Sequence, residues 1–101
     1  MKNILGETIS RKDLRIDRAA IKLDDGRVFS VDRPGRHHDV IRIIRESGYD
    51  GPVGGERQGF VLNSGIFARR KPALNIALNS GQANLEKCVA PGIGLFSEDV
   101  W

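Results

Sequence analysis

Cys88 is the only cysteine in the chain, so no disulfide can form within one molecule and a reducing compartment is the expected setting. Aromatic residues are scarce too, with four Phe, one Tyr and one Trp. Phe29, Phe60 and Phe67 fall in strand-like runs where core packing accounts for them, which leaves no platform for stacking a row of bases. No apolar run approaches the roughly 18 residues a membrane helix needs, and the first residues lack the apolar core of a signal peptide. A soluble, cytoplasmic protein with no membrane partner is expected. Also missing are a nucleophile elbow, a P-loop, a dinucleotide fingerprint, a helix-turn-helix spacing and a zinc-finger framework. The two histidines, His37 and His38, are adjacent, and neighbours on a helix diverge by about 100°. With one cysteine beside them, four-coordinate zinc lacks ligands, and neither a metal nor a cofactor is expected. The excess of positive charge is small, +3 with a pI of 9.4. Any basic patch must therefore come from local clustering.

What is present describes one globular domain. The 101 residues are 40% hydrophobic and 29% charged, enough to bury a modest core without staples. Residues 1–18 read as an N-terminal extension, with Ile4, Leu5, Ile9, Leu14 and Ile16 fitting neither the helix nor the strand period. Residues 19–101 read as the domain, ending in a docking tail. Ala19 to Asp32 is a hairpin around Asp24-Asp25-Gly26. If Asp25-Gly26 is a two-residue turn, Leu23 faces Val28 and Lys22 faces Phe29. Arg33-Pro34-Gly35 breaks the strand, and a helix follows to Gly48. Gly35 can open that helix, Asp39 suits its first turn, and Gly48 suits the position past its end. His37, Val40, Ile41 and Ile44 make its core face, and His38, Arg42 and Arg45 a second row turned toward water or an anion.

Tyr49 to Gly59 is a glycine-rich loop, either a flap that approaches a ligand or a plain crossover. Gly59–Asn63 and Ile66–Ala68 form a second strand pair around Asn63-Ser64-Gly65. A second helix starts near Lys71, with Pro72 at its first position, a stripe of Ala73, Leu74, Ala77 and Leu78, and Gly81 past its end. Gln82 to Gly94 is a linker, and Leu95 to Trp101 docks on its own domain or on a second subunit. The expected fold is α+β, a small, mostly antiparallel sheet of about four strands with both helices packed on one face.

Arg69-Arg70-Lys71 is the oddest feature. Three positive charges beside the positive end of a helix dipole each cost a few tenths of a kcal/mol. Either they point outward and are screened, or they wait with the free helix N–H groups for a phosphate or carboxylate. The second alternative suggests a binding module for a small anionic, nucleotide-like ligand. Arg36, His38 and Arg42 on one helix would converge with Arg69, Arg70 and Lys71 on the other and with Gln58-Gly59 from the loop. Glu98 and Asp99 would bond ribose hydroxyls or hold the arginines ready. A pocket shared between subunits would make the protein a symmetric homo-oligomer. No catalytic residue is assigned. The alternatives are non-specific nucleic-acid binding, inhibition of another protein, and metal-independent phosphodiester hydrolysis by His38. His37, on the apolar face, reads as a structural histidine bonded to the loop or the tail.

Several pieces together resemble a family of small proteins of tailed bacteriophages and prophages. They are the Ala-Ile-x-Leu-x-Asp-Gly hairpin, Arg36-His37-His38-Asp39-Val40-Ile41, Gln58-Gly59-Phe60, Gly65-x-Phe67-x-x-Arg70 with the helix ending Gly81-Gln82, and Leu95-Phe96-Ser97-Glu98-Asp99-Val100-Trp101. The likeness covers about residues 19–101. It implies a phage setting, hence the host cytoplasm, and no particular reaction. Small phage proteins of this kind often counter host defence by sequestering a nucleotide messenger, so an anti-defence role is an implication of that setting.

Overall fold

Strand β1, Ile16–Lys22, is the centre of the fold in a computed structural model that describes residues 13–101. Ile4, Leu5 and Ile9 of the expected extension lie outside the described residues. Strands β2 (Val28–Val31), β3 (Gln58–Leu62) and β4 (Phe67–Arg69) complete a four-stranded sheet in the order β2-β1-β3-β4, every neighbouring pair antiparallel. β1 starts at Ile16, upstream of the expected Ala19. A register shift between Ile16 and Arg18 inserts Asp17 as an extra residue opposite β3. Such a bulge turns Ile16 to the same side as Ala19 and Ile21, three apolar positions that a strict two-residue period would split.

The first hairpin corrects the expected register. Lys22 pairs with Val28 and Ile21 with Phe29, while the Leu23 N–H bonds the Arg27 carbonyl at 2.8 Å. The loop is therefore three residues, Asp24-Asp25-Gly26, with Gly26 in the left-handed region at φ 92°, the arrangement of a three-residue hairpin. A one-residue slip moves every side chain of a strand to the other face. The observed register sets Phe29 and Val31 on the side of Ile21 and Ala19, packed against the core.

Helices α1 (His37–Glu46) and α2 (Arg70–Ser80) cover that one face. Val40 and Ile44 from α1 and Ala73, Leu74 and Ala77 from α2 join Ile16, Ala19, Ile21, Phe60, Leu62 and Ala68 of the sheet in a single core. Arg36, not Gly35, is the residue that caps α1, its N–H bonded to the Asp39 carboxylate at 2.8 Å. Gly81, left-handed at φ 79°, closes α2. α2 begins one residue earlier than expected and follows β4 without a loop, so Pro72 is its third residue and Arg69-Arg70-Lys71 straddle the junction. Among the described residues no helix is long and apolar enough to cross a membrane.

Candidate ligand-binding site

The tail from Leu95 to Trp101 organises the residues around the site. Leu95 and Ser97 are fully buried, and the Trp101 indole packs edge-on against Phe60 at 6.3 Å. Its Nε1 donates to the Gly35 carbonyl at 2.8 Å, so the tail docks on its own domain. Gly35 is glycine for a steric reason: a Cβ there would lie 2.5 Å from Val31 Cγ2 and 2.8 Å from the Asp32 carbonyl. Arg36 Nη2 donates to the Trp101 main-chain oxygen at 2.6 Å, and its other nitrogen lies 3.8 Å from Glu98.

His37 also packs edge-on with Phe60, at 5.0 Å. A carbonyl only accepts, so the 2.7 Å contact between His37 Nε2 and the Gly59 oxygen puts the imidazole proton on Nε2. Burial, with the positive charge of Arg70 adding to it, pushes the His37 pKa down to about 4, against the opposing pull of the Gly59 bond and Glu98. It is neutral at pH 7 and is the structural histidine expected, held by the end of the glycine-rich loop.

Arg70 is the second anchor of the tail. Its guanidinium lies 4.0 Å over the Phe96 ring, donates to the Leu95 carbonyl at 2.7 Å and bonds the side-chain oxygen of Gln58. The Leu95 N–H returns a bond to the Arg70 carbonyl at 2.8 Å. Burial lowers the pKa of Arg70, while Glu98 and Asp99 oppose that shift. Asp99 itself is occupied, one carboxylate oxygen taking the Phe96 N–H at 2.8 Å and the other the Val89 N–H at 2.9 Å. Glu98 accepts from the Ser97 hydroxyl at 3.0 Å. Gln58 spends its amide on the Val53 carbonyl at 3.3 Å.

Beyond Arg70 opens a cleft of about 470 Å³, lined by Gly55, Glu56, Gln58, Arg69, Arg70, Lys71, Pro72 and Ile93. This is the size at which small-molecule sites are found. Among the described residues it carries three cations against one carboxylate. Arg69 meets Glu56 only at 3.9 Å with both side chains well exposed, a pair worth little in water. A larger hollow of about 530 Å³ lies among Asp17, Arg18, Asp32, Arg33 and Pro34. There Arg18 is matched by Asp17 at 3.6 Å and Asp32 at 3.4 Å, so it offers an anion little.

The residues expected to converge therefore fall into three places. Gln58, Arg69, Arg70 and Lys71 share the cleft. Glu98 and Asp99 belong to the docked tail, Arg36 bonds its last residue, and the Gly59 carbonyl takes the bond of His37 beside Phe60, against which Trp101 packs. His38 and Arg42 stand on the exposed side of α1, within 3.4 Å and 3.6 Å of Asp39, and line no part of the cleft. The hydrogen bond from the Arg36 N–H holds the Asp39 carboxyl below its ordinary range, with the neighbouring His38 and Arg42 adding to it. Arg45 fastens the loop after α1, donating to the Tyr49 carbonyl at 3.1 Å and the Gly51 carbonyl at 2.7 Å. Four cleft residues escape sequence reasoning: Gly55, Glu56 and Ile93 sit in stretches read as loop and linker, and Pro72 is accounted for by the helix start.

Among the described residues no group of three or more His, Cys, Asp or Glu side chains is placed to hold a metal ion. A family model described as Phage T4 y16D protein matches residues 15–101. No curated protein and no solved structure matches the chain.

Proposed function

The chain belongs to the phage T4 y16D protein family, and on that premise we propose that it binds, and sequesters without transforming, a small anionic nucleotide-like ligand in the cleft at the start of α2. The observation that carries this reading is the charge of that cleft: among the described residues that line it, Arg69, Arg70 and Lys71 stand against a single carboxylate, Glu56. A helix start bearing three cations is unfavourable on its own terms, and an anion there turns that cost into attraction. Arg70 is fixed by the tail and holds its charge in place, while Arg69 and Lys71 have the exposure to reach phosphate oxygens. In a phage setting, removal of a nucleotide messenger by such a cleft would counter host defence in the host cytoplasm. A symmetric oligomer would close the cleft's open side.

The cations of the sheet and its loops support the nucleic-acid alternative less well. Arg18 faces Asp17 and Asp32, Arg27 faces Asp25 at 2.8 Å, and Arg57 faces Asp24 at 2.8 Å, so they do not build a uniform basic face. His38, the candidate for hydrolysis, is paired with Asp39 outside the cleft. A second reading, docking on a host protein, draws on Leu85 and Val89, both more than half exposed.

Isothermal titration with ADP-ribose and a cyclic dinucleotide tests the proposal. Heat is expected with at least one, lost in the Arg69→Ser/Lys71→Ser double variant and retained in Leu85→Ser/Val89→Ser. No heat with either ligand, together with tight binding of duplex DNA, would overturn it. Recovery of a shortened ligand would replace sequestration by hydrolysis.

A further inference from the structure

We infer that the cleft selects a ribonucleoside phosphate, with Glu56 reading the ribose hydroxyls, Pro72 and Ile93 walling the base, and Arg69 and Lys71 taking the phosphate. The inference rests on the proposed function and assigns its parts.

A bare anion site would have no use for two of these features. Ile93, 62% exposed, and Pro72 give the cleft two apolar surfaces beside its cations. Together they offer a base somewhere to shed water next to where its phosphate is held. Glu56 is the other feature. A carboxylate in an anion site weakens the site by repulsion unless it meets a donor, and a vicinal diol supplies two hydroxyl donors that one carboxylate can accept. The acids expected for that role are committed elsewhere: Asp99 to the Phe96 and Val89 N–H groups and Glu98 to Ser97 and Arg36. Among the described residues Glu56 has only the loose contact with Arg69, which leaves its oxygens accessible beside that cation.

The test uses the full chain, titrated calorimetrically with ADP, 2′-deoxy-ADP, pyrophosphate and a ten-residue single-stranded RNA. Wild type is expected to bind ADP about tenfold more tightly than either 2′-deoxy-ADP or pyrophosphate, roughly 1.4 kcal/mol. Glu56→Ala should abolish the preference for ADP over its deoxy form and tighten pyrophosphate. Ile93→Ser should weaken ADP several-fold and leave pyrophosphate unchanged. Both side chains are exposed, so neither change threatens folding. Equal binding of ADP, its deoxy form and pyrophosphate, indifferent to Ile93→Ser, would overturn this inference and leave a general anion site standing. Absence of binding by all four probes would overturn the proposed function as well. RNA binding far tighter than ADP would overturn it in favour of a strand.

Discussion

Acid should unfold this protein through His37 before its carboxylates titrate. His37 is 7% exposed, donates from Nε2 to the Gly59 oxygen, and has a pKa depressed from 6.5 to about 4. In the unfolded chain the imidazole regains the ordinary value and takes a proton near pH 6.5. Between these limits the unfolded state binds the extra proton, so stability is complete above about pH 6.5 and falls as the pH drops toward 4. At about 1.36 kcal/mol for each pH decade the loss by pH 4 is about 3 kcal/mol. For a domain of this size that corresponds to a fall in Tm of roughly 12–24 °C. The carboxylates act in a different window. Asp25 and Asp39 are held below their ordinary 3.8, so the stability they contribute is lost only below about pH 4. Urea denaturation followed by far-UV circular dichroism at half-unit steps from pH 7 to pH 4 measures the slope. The His37→Gln variant keeps an amide donor for Gly59 without a titrating ring, and it should lose most of the slope while being less stable at pH 7. A wild-type stability that is flat from pH 6.5 to pH 4, or a slope unchanged in His37→Gln, would refute the assignment of a buried neutral imidazole.

Three further outcomes follow from the packing. Trp101→Ala should cost about 2–3 kcal/mol in chemical denaturation, since it removes a half-buried ring and leaves the Gly35 carbonyl without its indole donor; a cost below 0.5 kcal/mol would mean the tail is not anchored there. Gly35→Ala should destabilise by about 1–3 kcal/mol, because its Cβ would lie 2.5 Å from Val31 Cγ2, and a neutral melting curve would contradict that contact. Arg69→Ser/Lys71→Ser should leave the fold unharmed or raise its stability by a few tenths of a kcal/mol, by relieving repulsion at the helix start. A loss above 1 kcal/mol in the same denaturation assay would show those charges to be structural.

Much of the fold is legible in the sequence because local chemistry decides it. Asp24-Asp25-Gly26 announces the hairpin, Gly48 and Gly81 mark the ends of the helices, and the apolar faces follow the periods of their elements. The register of the hairpin is not legible, since Asp25-Gly26 fits both a two-residue and a three-residue loop. What separates the two is tertiary, for only the longer loop sets Phe29 across from Ile21 on the core side. The bulge at Asp17 is decided the same way, by the need to bury Ile16. The site divides along a similar line. Arg69-Arg70-Lys71 is conspicuous because the charges are consecutive, while Glu56 and Ile93 reach the cleft from separate segments. A sequence displays the sign of a charge but not whether a backbone group has already claimed it. Arg36, Arg70 and Asp99 look as suitable for a ligand as Arg69, Lys71 and Glu56, yet the first three are bonded to the main chain of the tail. Hydrogen-bond commitment, not charge, therefore separates the residues that hold the tail from those exposed in the cleft.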